Sequence, residues 1–154
     1  MRTAILYVSI HHGNTEKIAR KIARVLDAEL LNVGKANEET IKNNDLIGFG
    51  SGIYFGKHHI SLLKFIDALP KMNKKAFVFS TRGGGPPSIY HRAIKERLRT
   101  KGLEIIGEFS CKGFDTFGLL KHIGGVNKGK PDERDLKKAK EFAEKLKITF
   151  QSLK

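Results

Sequence analysis

Thr3-Ala4-Ile5-Leu6-Tyr7-Val8-Ser9-Ile10-His11-His12-Gly13-Asn14-Thr15-Glu16-Lys17-Ile18-Ala19 is the stretch on which the fold turns. Its first part, Thr3–Ser9, is a continuous apolar run with a polar end, the pattern of a strand buried on both faces. Its last part opens a helix over Asn14–Leu26, in which Ile18, Ile22, Val25 and Leu26 recur at helical spacing. Between the two stand only Ile10, His11, His12 and Gly13. A buried strand that turns this abruptly into an amphipathic helix begins a strand–helix alternation, and the rest of the chain continues it.

Ala28–Val33 reads as a second, shorter strand and Glu38–Lys42 as a helical turn. Asp45–Ser51 is the third strand, whose Gly48 and Gly50 permit close approach of other backbone or of a ligand. Ile60–Leu69 is a helix with Leu62, Phe65, Ile66 and Leu69 inward, closed by Pro70. Lys75–Ser80 is the fourth strand. Pro87–Lys101 is a helix opened by proline and stopped by Gly102. Leu103–Cys111 is the fifth strand, and Asp132–Phe150 a final helix with Leu136, Ala139, Ala143, Leu146 and Phe150 as its stripe. Short strands alternating with helices predict an α/β fold of three layers: a doubly wound, five-stranded parallel sheet of order 2-1-3-4-5, with helices on both faces. Ligands of such sheets gather beyond the carboxyl ends of strands 1, 3 and 4.

At 154 residues the chain suits one domain over 1–154, and no internal repeat, low-complexity stretch or linker divides it. Hydrophobic residues at 40% and charged residues at 29% exclude a disordered chain. A single cysteine, Cys111, allows no internal disulfide and reads as an inert small hydrophobe. The opening apolar run is too short for a signal-peptide core, and no segment approaches the roughly 18 apolar residues of a membrane span. A cytoplasmic location without a membrane span is therefore expected. The net charge of +13 is spread over helix faces interleaved with Glu, as in Lys137/Glu141 and Lys140/Glu144 at i,i+4. That pattern disfavours nucleic acid as the partner and suits an anionic ligand or an acidic protein.

Three loops at the expected switch point hold the candidate site. In the first, Ser9, Ile10, His11, His12, Gly13, Asn14 and Thr15 lead into a helix N-terminus, whose free N–H groups and positive dipole end favour a phosphate. Gly13 lets the backbone turn tightly, and Ser9, Asn14 and Thr15 add side-chain donors. The loop is neither a G-x-G-x-x-G fingerprint nor a P-loop. In the second, Ser51, Gly52, Ile53, Tyr54, Phe55 and Gly56 place two aromatics between glycines, which is costly unless something flat packs on them. In the third, Thr81, Arg82, Gly83, Gly84 and Gly85 expose backbone amides before Pro86-Pro87 stiffens the exit.

Tyr7-Val8-Ser9 followed by Gly13-Asn14-Thr15-Glu16-Lys17-Ile18-Ala19 resembles the phosphate loop of flavodoxins, commonly S/T-x-T-G-x-T. The loop departs from that pattern by one extra residue between Ser9 and Gly13, and by His11-His12 where hydroxyls usually stand. Gly50-Ser51-Gly52-Ile53-Tyr54-Phe55-Gly56 is also similar to the flavin-dependent protoporphyrinogen oxidases of the same superfamily. The resemblance covers nearly the whole chain. It implies one non-covalent flavin mononucleotide (FMN), with its phosphate in the first loop and its ring beside Tyr54, or secondly Phe55. It further implies that Gly83 to Gly85 offer N–H groups to N1 and the C2 oxygen of the pyrimidine edge. Arg82 stands where many flavodoxins carry acids, so a less negative second-electron potential is expected. The implied function is electron transfer with a redox protein, an acidic one on charge grounds. The alternative is an oxidoreductase acting on a small protoporphyrinogen-like or quinone-like substrate.

The remaining polar and apolar clusters fit less directly. His11, His12, His58 and His59 lack an accompanying carboxylate or cysteine at ligand spacing, so no metal is expected. His58 or His59 is expected near the flavin edge as a donor or proton source. The long connection from Cys111 to Gly125 carries Phe114, Phe117, Leu119, Leu120 and Ile123, read as a satellite cluster ahead of a flap. A phosphoacceptor switch on this topology would need carboxylates where Ser51 and Ser9-Ile10 stand.

Overall fold

The computed structural model describes residues 1–114 and 123–153, and for His11 the backbone alone. Five parallel strands form the sheet: β1 (Thr3–Val8), β2 (Glu29–Asn32), β3 (Leu46–Tyr54), β5 (Lys74–Arg82) and β6 (Leu103–Lys112). Their order is β2-β1-β3-β5-β6, the expected doubly wound arrangement. A two-residue strand that the sequence did not signal, β4 (Lys57–His58), pairs antiparallel with the end of β3.

Helices cover both faces because each carries one apolar stripe. Against one face lie α1 (Asn14–Leu26) and α6 (Glu133–Ser152), burying Ile18, Ile22, Ala139 and Leu146 with Phe77 and Phe79 of the sheet. Against the other lie α2 (Glu38–Lys42), α3 (Ile60–Asp67) and α5 (Arg92–Thr100), which bury Ile41, Leu62, Ile66, Ile94 and Leu98. A single turn, α4 (Pro87–Tyr90), precedes α5. The helix expected over Pro87–Lys101 is thus interrupted at His91, whose side chain is drawn into the sheet by Ser80 and Glu108.

Glycines in β3 set the spacing of the layers. Gly48 lies in register with Phe77 and Gly50 with Phe79, and a Cβ on either glycine would fall inside the neighbouring ring. The two Phe rings stack with centroids 6.1 Å apart and fill that space. The space at these glycines is therefore taken by core aromatics, where backbone or a ligand was expected. Parallel pairing of β1 with β3 and of β3 with β5 brings their carboxyl ends to one edge, where the three loops meet.

Candidate functional site

At the end of β1 the chain makes one 3-10 turn (His11–Gly13) before α1. His12 and Gly13 both take left-handed backbone, at φ 59° and 64°. Gly13 has no neighbour within van der Waals reach of an added Cβ, so its requirement is conformational. Of the expected side-chain donors, Asn14 donates within the protein, Thr15 is tied to Thr81, and Ser9 is used as an acceptor. Ser9 Oγ accepts from the Glu16 amide at 3.2 Å, Asn14 Nδ2 donates to the Phe114 carbonyl at 2.7 Å, and Thr15 shares a buried 2.8 Å hydrogen bond with Thr81. The His12 ring lies 4.2 Å from that of Phe114.

At the end of β3 the expected loop is instead the first arm of a hairpin. Ser51 is fully buried, donating to the Gly52 carbonyl and accepting from the His59 amide. Ile53 and Tyr54 are paired to His58 and Lys57, and Phe55 and Gly56 form the turn with φ 52° and 79°. Positive φ at both positions is what a two-residue hairpin turn requires, and a phenylalanine there is strained. Phe55 is 89% exposed at the tip. The Tyr54 ring lies back over Gly52, whose missing side chain leaves it room, and meets His59 edge-on at 5.2 Å.

At the end of β5, Thr81 and Arg82 are still strand, and Gly83 begins the turn. Arg82 is half-buried, and its Nε and Nη1 are shielded from solvent with no hydrogen-bond partner. A buried cationic donor without an acceptor is costly. Gly85, at φ 84°, lies against the Tyr90 hydroxyl.

These segments enclose two clefts. One, of about 550 Å3 counting its open mouth, is lined by Ile10, Asn14, Thr15, Gly52–Phe55, Thr81–Gly83, Gly113 and Phe114. The other lies between the hairpin and the glycine turn, lined by Ile53, Gly56, Arg82–Gly84, Tyr90 and Val126. Ile53, Arg82 and Gly83 line both, so the two are continuous. Ser9, His12, Gly13, Ser51 and Gly85 support the walls without lining them.

Residues 4–109 match the family model of the flavodoxin domain. The chain belongs to the flavodoxin-domain family. An uncharacterized protein of Methanocaldococcus jannaschii is 55% identical over 148 residues, 95% of this chain and 98% of that one. Among solved structures, oxidised flavodoxin 2 from Bacillus cereus superposes with a TM-score of 0.71 at 21% identity, covering 100% of both chains. A flavodoxin from the domain Archaea gives 0.70 at 20% identity, covering 96% of this chain and 99% of the other. At such identities the structural likeness is one of fold.

The histidines of this flavodoxin domain are placed otherwise than expected. His58 is 1% exposed and turned away from the clefts, with Nε2 2.9 Å from the Phe79 carbonyl and its ring 5.1 Å from that of His91. The hairpin is the reason, since pairing with Ile53 turns His58 into the α5 side of the sheet. Nδ1 has no well-formed hydrogen bond, although the Tyr90 carbonyl lies near it. His59 caps α3, its Nδ1 bonded to the amide and hydroxyl of Ser61. Neither lines a cleft.

Burial lifts the Cys111 thiol to about 12, with Asp135 adding to the rise, so it is no nucleophile. Phe117, Leu119 and Leu120 lie outside the described residues. Phe114 packs on the site itself, and Ile123 is exposed. Sequence reasoning missed Tyr90, Gly113, Phe114 and Val126 as lining residues. Only the length of the connection after β6 signalled the last three.

Proposed function

We propose that this flavodoxin domain holds one FMN in the continuous double cleft and serves as an electron-transfer flavoprotein. The observation that carries the reading is Arg82: a half-buried side chain whose shielded Nε and Nη1 lack a partner among the described residues, at the junction of a cleft floored by a helix N-terminus and a cleft between a hairpin and a glycine turn. An anionic ligand with a flat, acceptor-rich end answers both features, and FMN is of that class. Its phosphate suits the backbone amides at the start of α1, Tyr54 over Gly52 offers an aromatic wall, and Gly83 and Gly84 offer donors. When bound, flavin supplies one- and two-electron redox chemistry, while the protein sets affinity, orientation and electrostatics.

Spectrophotometric titration of the purified protein with FMN tests this. The expected result is one equivalent taken up with a shifted visible band. Absence of yellow colour together with no uptake of added FMN overturns it. Turnover of a porphyrinogen or rapid reduction by a nicotinamide nucleotide would instead identify an enzyme. Arg82→Gln should make the second-electron potential more negative by roughly 40 mV, since a partly screened cation contributes about 1 kcal/mol to an adjacent anion. An unchanged potential in a redox titration would remove Arg82 from this role.

The partner we propose is an acidic redox protein. Lys57, Arg92, Lys112 and Lys128 are exposed, lie within two positions of cleft-lining residues in sequence and make no ion pair with a described residue. Exposed Ile10, Phe55 and Ile89 supply apolar contact on the same edge. Electron transfer to an acidic acceptor protein should slow steeply as ionic strength rises. A salt-independent rate in stopped-flow measurements would contradict the charge argument.

A further inference from the structure

The segment after β6 does more than return the chain to α6. Its start is fixed by the Gly113 amide, which donates to the Arg82 carbonyl at 2.8 Å, and by Phe114, whose amide donates to the Lys130 carbonyl. The Lys130 amide in turn donates to the Asn127 carbonyl, so the backbone at Asn127 is tied through Lys130 to Phe114. There Asn127 adopts φ 57°, a left-handed conformation that asparagine tolerates better than most residues. From this perch Nδ2 donates to the Gly83 carbonyl at 2.6 Å and to the Gly113 carbonyl at 3.4 Å. Both partners are pure acceptors, so the amide nitrogen faces them and the side chain cannot serve flipped.

We propose that Asn127 is a positioning residue that fixes the Gly83–Gly84 peptide so that the Gly84 N–H faces the cleft and serves a ligand's electron-rich edge. The inference rests on the reading that FMN occupies this cleft. Its physical basis is the planar trans peptide, in which the carbonyl of one residue and the N–H of the next point to opposite edges. Gly83–Gly84 is trans, Gly83 and Gly84 both line the second cleft, and Asn127 lines neither cleft. Holding the Gly83 carbonyl outward therefore turns the Gly84 N–H inward. Without that tie a Gly-Gly peptide can rotate freely and present its carbonyl instead. A donor held in place stabilises the reduced, more negative flavin more than the oxidised one.

The test compares FMN affinity in both redox states for wild type and Asn127→Asp. That variant keeps the left-handed preference but sets a carboxylate against two carbonyls. Reduced-state affinity should fall at least tenfold more than oxidised-state affinity. By linkage that is a drop of about 59 mV in a one-electron potential. Equal loss in both states, with unchanged potentials, would show a purely structural clamp and overturn the proposal, as would no loss at all. Asn127→Gly, which suits φ 57° and removes the side chain, carries the same test should the Asp variant fail to fold. A wild-type protein that takes up no FMN would sink the parent reading instead, which the first titration reveals before any variant is made.

Discussion

Asn14→Asp should weaken FMN binding roughly a hundredfold while changing riboflavin binding several-fold at most. Asn14 is the first residue of α1 and lines the cleft at the helix N-terminus. Its side chain donates to the Phe114 carbonyl, and its Oδ1 is buried without a donor. A carboxylate here would satisfy the helix dipole on its own, occupying electrostatically the place that an anionic ligand is proposed to take. Against a phosphate dianion a few ångströms away, the repulsion at an effective dielectric intermediate between protein and water is on the order of 3 kcal/mol, or about two decades in Kd. Riboflavin lacks the phosphate and so escapes this term. It feels only the loosened Phe114 contact, where a hydrogen bond is exchanged for a carboxylate–carbonyl clash. The two ligands titrated in parallel separate charge from packing. Equal weakening of both would mean that the phosphate lies elsewhere, and no weakening of either would remove Asn14 from the site.

The fold was legible because strands buried on both faces write contiguous apolar runs, as Ala4–Val8, Leu46–Gly50 and Ala76–Phe79 do within β1, β3 and β5. The edge of the sheet that carries the loops was legible for a related reason, since glycine, hydroxyl and aromatic positions collect at the ends of those runs. The hairpin after β3 was not. Its turn carries Phe55 where the common hairpin signals carry asparagine or aspartate, so Tyr54 and His58 looked like loop residues rather than partners across a ladder. The misplacement of His58 follows directly: once a residue belongs to a strand, alternation decides its face, and here it decides for the interior. The parts of the site that come from beyond β6 were hidden for a different reason. Asn14 and Phe114 are 100 positions apart, and Asn127 and Gly83 are 44 apart. No local pattern announces contacts of that span.

That interior histidine should make the protein lose roughly 2–3 kcal/mol of stability as pH falls from 6.5 to 4.5. Burial, the largest cause, holds the folded-state pKa of His58 down to about 3, with the nearby His91 lowering it further and the Phe79 carbonyl bond opposing. The folded form therefore prefers the neutral imidazole, whereas the unfolded chain binds a proton near pH 6.5. Stability is fully present above 6.5 and declines as pH falls toward 3, by about 1.4 kcal/mol per pH unit. His91 also has a lowered pKa, through burial that its bond to Glu108 offsets in part, and acts in the same direction. Lys95 and Arg82 add positive charge beside His91, against the relief that Glu108 gives it. The carboxylates Asp45 and Glu108 have folded pKa values held below their usual ones, and their contributions fade only below about pH 4.5. Among the described residues the window between 6.5 and 4.5 therefore belongs to histidines, His59 included, whose pKa burial also lowers. His58→Gln retains an amide able to donate to the Phe79 carbonyl and carries no titrating ring. It should flatten that limb in urea denaturation measured at a series of pH values. An unchanged slope in the variant would show that protons enter the folded state at His58 as readily as the unfolded one, against the burial described above.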